Sequence, residues 1–254
     1  PLAESSSAPL LNRATQGQYT VANTLGIFLL VDAAERMTLP DPQVYLANQG
    51  KPVNLEECVQ PHWMDGSLSW NTLIRAGCPA AAQELSALFT TIQSEQLANR
   101  LGFTAESPLE INTAPPLFAD GDGELPIQNW LISPLNMALA GSVLANDGKV
   151  PSPVLAMAVK TPQEGWLVLS NPASRQPYNP NIAAGIAESL STPGSFYWET
   201  VSRENDGEKV LTWYLGGTLP SWQGIPLSVA VVLEEDNPNL ARTIGESLLK
   251  AAIQ

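Results

Sequence analysis

The chain has 254 residues, enough for one large core or two modest ones, and its 25 acidic against 12 basic side chains give a formal charge of −13. With no basic cluster to offset it, that charge excludes nucleic acid and anionic membrane surfaces as partners. No apolar run reaches the roughly 18 residues that a membrane span needs. The sequence begins at Pro1 without a charged, then apolar, signal-like start, and reads as a piece of a longer or processed protein that is either membrane-anchored through an upstream segment or secreted.

Residues 1–18 are polar and rich in Ser, Pro and Gln, and read as an entry arm to a single domain over 19–254. Residues 20–36 are apolar on most sides, as in a buried helix ending near Met37. Residues 38–66 read as loop, broken by Pro40, Pro42, Pro52 and Pro61. Ser67 or Ser69 caps a helix to about Ile74, Pro79 opens another over about 80–91, and a third, 93–100, stops at Gly102. After a loop-rich stretch, Ser133-Pro134 gives an N-cap with proline at N1 for a helix closed by Asn146-Asp147-Gly148.

From about 151 the hydrophobic period changes. Residues 155–160 and 166–170 read as a hairpin around Pro162-Gln163-Glu164-Gly165, and 179–190 as a helix. Strands are expected at 196–203, 208–215 and 225–234, with Asn205-Asp206-Gly207 as a turn, followed by an amphipathic helix over 239–252. A helical part over 19–150 and a strand-rich part over 151–254 predict an α+β fold, an antiparallel sheet covered by helices.

Cys58 and Cys78 are the two cysteines. Outside the cytoplasm they can form one disulfide, closing a loop of about 20 residues for roughly 3 kcal/mol; two separate buried thiols fit the sequence equally well. His62 is close to Cys58 in sequence, but the set lacks a fourth ligand for structural zinc.

Asn12-Arg13-Ala14, Tyr19 and the apolar run after it resemble the active-site helix of the penicillin-binding transpeptidases. In that family the run reads tyrosine, proline, proline, glycine, serine, threonine, phenylalanine, lysine; here Tyr19 to Gly26 fill those places. The nucleophile place holds Asn23 and the general-base place Gly26. An amide forms no acyl-enzyme, and glycine has no side-chain proton acceptor.

Residues 133–153 are similar to the family's helix ending in alanine, asparagine, glycine, with Met137, Ala138 and Val143 expected inward. Residues 66–89 resemble the helical pair around the second motif, serine-x-asparagine, whose place holds Gly77, Cys78 and Pro79. Ser69-Trp70-Asn71 spells that motif about two turns early. For the third motif, lysine-threonine-glycine, the alignment offers Tyr197, Trp198 and Glu199 with Thr200 just after, so the cationic end of the site is absent too. The family's first two sheet strands precede the Asn-Arg-Ala turn, where this chain has no room for them. The Ser247-x-x-Lys250 match lies in the last amphipathic helix and reads as packing.

The resemblance therefore implies a degenerate, extracytoplasmic member with no catalytic residues and no cofactor. It would serve as a scaffold, binding or regulatory module whose partners are cell-wall synthesis proteins or peptidoglycan. One alternative is an active D,D-transpeptidase with divergent catalytic residues. Another is a metal- or glycan-binding domain on the same frame. For that last reading, Asp120, Asp122 and Glu124 on a glycine-flexed loop offer calcium three carboxylates or form a glycosidase pair, although a solvated turn is the plainer expectation. Trp198 is the aromatic expected in the old cleft.

Overall fold

In the computed structural model the described residues are 12–50, 54–63, 68–104, 113–118, 127–154, 156, 158–169, 173–205, 207 and 209–253. The 120–124 acidic loop lies outside them.

Helix α1 (Arg13–Gln16) is capped by the Asn12 side chain, which accepts from the Ala14 amide. Strand β1 (Tyr19–Thr20) follows, then a turn and helix α2 (Gly26–Arg36), whose residues 26–33 are all buried. The segment expected as loop contains helix α3 (Pro42–Asn48). Asp41 caps it by accepting from Val44 N, and Pro42 sits at its start, where a missing N–H breaks nothing.

Ser69 and Thr72 form a reciprocal capping box for α4 (Trp70–Arg75). Pro79 opens α5 (Pro79–Ala87), which ends short of the expected 91 because Thr90 and Gln93 make a second capping box for α6 (Thr91–Leu101). Gly102, at φ 85°, stops that helix in the left-handed conformation. Strand β2 (Leu117–Phe118) and β1 flank β3 (Trp130–Ile132) in a small antiparallel sheet. Ser133 then caps α7 (Pro134–Ala145). On α7 Met137, Ala140, Val143 and Leu144 are fully buried, whereas Ala138 is only half-buried.

Strands β4 (Ala158–Thr161) and β5 (Gly165–Val168) form a hairpin that carries exposed Trp166 and Val168. Helix α8 (Pro180–Ser189) leads into the main sheet, β6 (Tyr197–Asn205), β7 (Val210–Thr218) and β8 (Ser228–Leu233), an antiparallel meander in that order. Helix α9 (Pro238–Ile253) closes the chain.

The meander is covered on both faces. Gly245 of α9 lies so close to the Tyr214 ring that a Cβ there would overlap it. On the other face Gly141 of α7 meets Leu215 and Trp198. β7, central and covered twice, is buried from Leu211 to Thr218 without alternation between its faces. The outer edge of β8 borders an open groove of about 460 Å³, walled by Tyr19 and Pro134 on one side and by Ile244 and Leu248 on the other.

A buried ion network fixes the helical half. Asp32, fully buried in α2, pairs with Arg36 and with Arg100 of α6, the latter at 2.8 Å. Arg100 also reaches Glu35 at 2.9 Å, and Glu35 accepts the Asn179 amide ahead of α8. Two guanidinium groups beside one buried carboxylate offset its charge, as burial requires.

Candidate functional site

The turn before α2, the α4–α5 loop and β6, to which the resemblance assigns the motif places, pack directly against one another. From the turn, Asn23 Nδ2 donates to the Arg203 carbonyl at 2.6 Å, while its Oδ1 is buried with no hydrogen-bond partner. Gly26 is the first residue of α2, and a Cβ on it would stand 2.8 Å from Ile74 Cδ1 and 3.1 Å from Ala82 Cβ. Gly77 adopts φ +65° and packs so tightly on β6 that a Cβ would overlap the Val201 carbonyl oxygen. Pro79 sits beyond it as the first residue of α5.

The residues of β6 opposite Asn23 and Gly77 are Thr200 to Glu204. Thr200 Oγ1 donates to the Ile74 carbonyl at 3.1 Å. Glu204 Oε1 accepts from the Thr24 amide at 2.7 Å and from Thr24 Oγ1 at 2.8 Å, and the Thr24 and Ser202 hydroxyls are 2.6 Å apart. Tyr197, Trp198 and Glu199 lie earlier on the strand. Tyr197 is half-buried beside Phe196. Trp198 is fully buried against Gly141 and Gly217, which corrects the expectation of a cleft aromatic free to stack on a sugar. Glu199 points to the opposite face and meets Arg242 of α9 at 3.1 Å. Side chains alternate along a strand, so even-numbered residues of β6 face the helices and odd-numbered ones face α9.

The free backbone edge of β6 is occupied by the protein's own groups. Glu199 N donates to the Leu190 carbonyl at 3.4 Å, Val201 O is covered by Gly77, and Arg203 O is taken by Asn23. An extended peptide adding to a sheet needs those outward groups free. Cys58 and Cys78 are disulfide-bonded. The bridge holds residues 59–60 alongside 76–77 through Gln60 N to Ala76 O at 2.9 Å and Val59 N to Gly77 O at 3.4 Å, which keeps Gly77 against β6.

Electrostatically the site is a buried acid with no cation beside it among the described residues. Desolvation pushes Glu204 up to about 7, offset in part by the Asn23 and Thr24 donors. A hydroxyl beside a carboxyl can transfer a proton, but Thr24, Ser202 and Glu204 are 2%, 3% and 2% exposed, so no substrate reaches them. Glu199 is also raised, because burial outweighs the pull of Arg242. Thr24, Ser202 and Glu204 were not among the residues expected in the site. No sequence pattern singles them out, because polar side chains occupy both alternate sets of β6, Glu199 and Arg203 on one and Thr200, Ser202 and Glu204 on the other.

Elsewhere, Ser247 donates to the Thr243 carbonyl and Lys250 pairs with Glu246, so this serine and lysine do not meet. His62 packs edge-on to Trp63, and among the described residues no group of three His, Cys, Asp or Glu side chains is placed to hold a metal ion.

No protein-family model and no curated relative matches the sequence. Solved structures do. Penicillin-binding protein A from M. tuberculosis, as its imipenem acyl-enzyme complex, matches with a TM-score of 0.76 at 19% identity, over 100% of this chain and 64% of that one. The D,D-transpeptidase domain of a peptidoglycan glycosyltransferase from Eggerthella lenta matches with a TM-score of 0.74 at 17% identity, over 99% and 69%. Penicillin-binding protein 3 from M. tuberculosis, in its apo form, gives 0.66 at 13%, over 99% and 67%. The chain thus spans less than two thirds of the penicillin-binding protein A chain it matches. Its fold is that of the penicillin-binding transpeptidases, a mixed α/β architecture with antiparallel sheets packed against helices.

Proposed function

We propose that this domain is a non-catalytic relative of the penicillin-binding transpeptidases. In this reading it acts outside the cytoplasm as a scaffold, binding or regulatory module of bacterial cell-wall synthesis, with cell-wall synthesis proteins or peptidoglycan as partners. The observation that carries the reading is Asn23. The resemblance assigns it to the nucleophile place, its amide has no acylable oxygen, and its Nδ2 donates to the Arg203 carbonyl at 2.6 Å. Gly26, which the resemblance assigns to the base place, has no side chain, and a Cβ there would press on Ile74 and Ala82. With no helix among the described residues long and apolar enough to cross a membrane, attachment to a membrane would fall to another part of the protein.

Incubation with a fluorescent penicillin, followed by a denaturing gel beside an active transpeptidase, tests the reading. The control labels and this protein does not; a labelled band from this protein would instead favour an enzyme with divergent catalytic residues.

A further inference from the structure

The seam between β6 and the turn before α2 is joined by few groups, and one of them is ionisable. Thr24 offers its amide and hydroxyl to the Glu204 carboxyl at 2.7 and 2.8 Å, and Ser202 joins through the Thr24 hydroxyl at 2.6 Å. Asn23 adds its bond to Arg203 O, while its own Oδ1 is buried without a partner. Among the described residues no charged group compensates Glu204. From the turn only the Asn23 and Thr24 groups reach it, and β7 sets Leu211 opposite it. The charged neighbours in sequence and across the sheet turn elsewhere: Arg203 pairs with Asp236, and Lys209 with Glu234, which also accepts from the Tyr19 hydroxyl.

We propose that Glu204 is a proton-operated latch, which holds the seam between β6 and α2 closed when protonated and lets it open locally when ionised. A charge in that enclosure has donors but no cation, and local opening hydrates it. The direction follows from the raised value, about 7 against 4.5 for a hydrated glutamate. The closed seam binds the proton more tightly than the open one. Its extra stability is therefore complete below about pH 4.5 and is lost as pH rises through about 7. The latch rests on the reading of this seam as a closed former cleft. A penicillin adduct would count against that reading, whereas the experiment below bears on the latch alone.

Hydrogen exchange of the intact protein, corrected for the intrinsic chemical rate, reads the opening. Between pH 5 and pH 8, protection at amides 22–26 and 200–204 falls on the order of fiftyfold, and Glu204→Gln removes that fall. Protection that stays level in the wild type, or falls equally in Glu204→Gln, overturns the latch. Should the variant not fold, carbon-13 titration of the wild-type carboxyls decides. A midpoint near 7 assigned to the Glu204 carboxyl supports the latch, and a Glu204 midpoint below about pH 6 refutes it.

Discussion

Gly77→Ala measures how tightly the cleft is closed. Gly77 has φ +65°, and a Cβ placed on it overlaps Val201 O, a backbone atom that moves only if β6 moves. Gly50 is the matched control, with φ +69° and nothing within 4 Å of its Cβ position. Holding alanine in the left-handed region costs about 1–2 kcal/mol at either site. At Gly77 the overlap must also be relieved by parting the seam, which strains the Asn23–Arg203, Thr24–Glu204 and Thr200–Ile74 hydrogen bonds. At about 1 kcal/mol for each bond lost, Gly77→Ala should cost about 4–5 kcal/mol in all. Equilibrium urea unfolding of both variants supplies the comparison, read from midpoints at unchanged m. A Gly77→Ala cost within about 0.5 kcal/mol of Gly50→Ala would show that the loop does not press on β6, and the closed-cleft account would fail.

Two further expectations follow from the same geometry. Removing the Cys58–Cys78 bridge, by reductant or as Cys58→Ser with Cys78→Ser, opens a 20-residue separation and should lower stability by about 3 kcal/mol in thermal melts; an unchanged melt would mean that the bridge constrains nothing. Installing the missing chemistry as Asn23→Ser with Gly26→Lys should not restore penicillin acylation. It should also destabilise the fold by about 1–3 kcal/mol, because the lysine Cβ meets Ile74 and Ala82. Intact mass and a melt of the double variant check both halves, and an adduct would show that the cleft admits substrate after all.

Local chemistry made much of the fold legible. Ser69, Ser133 and Gly102 mark helix ends because capping is decided within one turn of chain. The meander was legible because Asn205 pairs with Val210 across the turn that begins at Asn205, which fixes the register of β6 on β7. Where two local rules compete the sequence misleads. Pro42 breaks structure in general but starts a helix after Asp41, and Thr90-x-x-Gln93 begins a helix where an apolar run suggests continuation. The site was less legible. Without the third motif, nothing in sequence fixes which residues of β6 face the turn, and the register set by β7 and α9 brings Thr200 to Glu204 there. The pairing of Cys58 with Cys78 likewise depends on the contact of residues 59–60 with 76–77, a tertiary fact.

The central claim is that the cleft has lost both its nucleophile and its opening. Intact mass spectrometry after prolonged incubation with excess benzylpenicillin tests it most directly, with an active transpeptidase run alongside. The account predicts an unshifted mass for this protein and a stoichiometric shift for the control. A stoichiometric adduct here, mapped to any serine or threonine, would contradict it and identify the nucleophile that the closed seam was taken to lack.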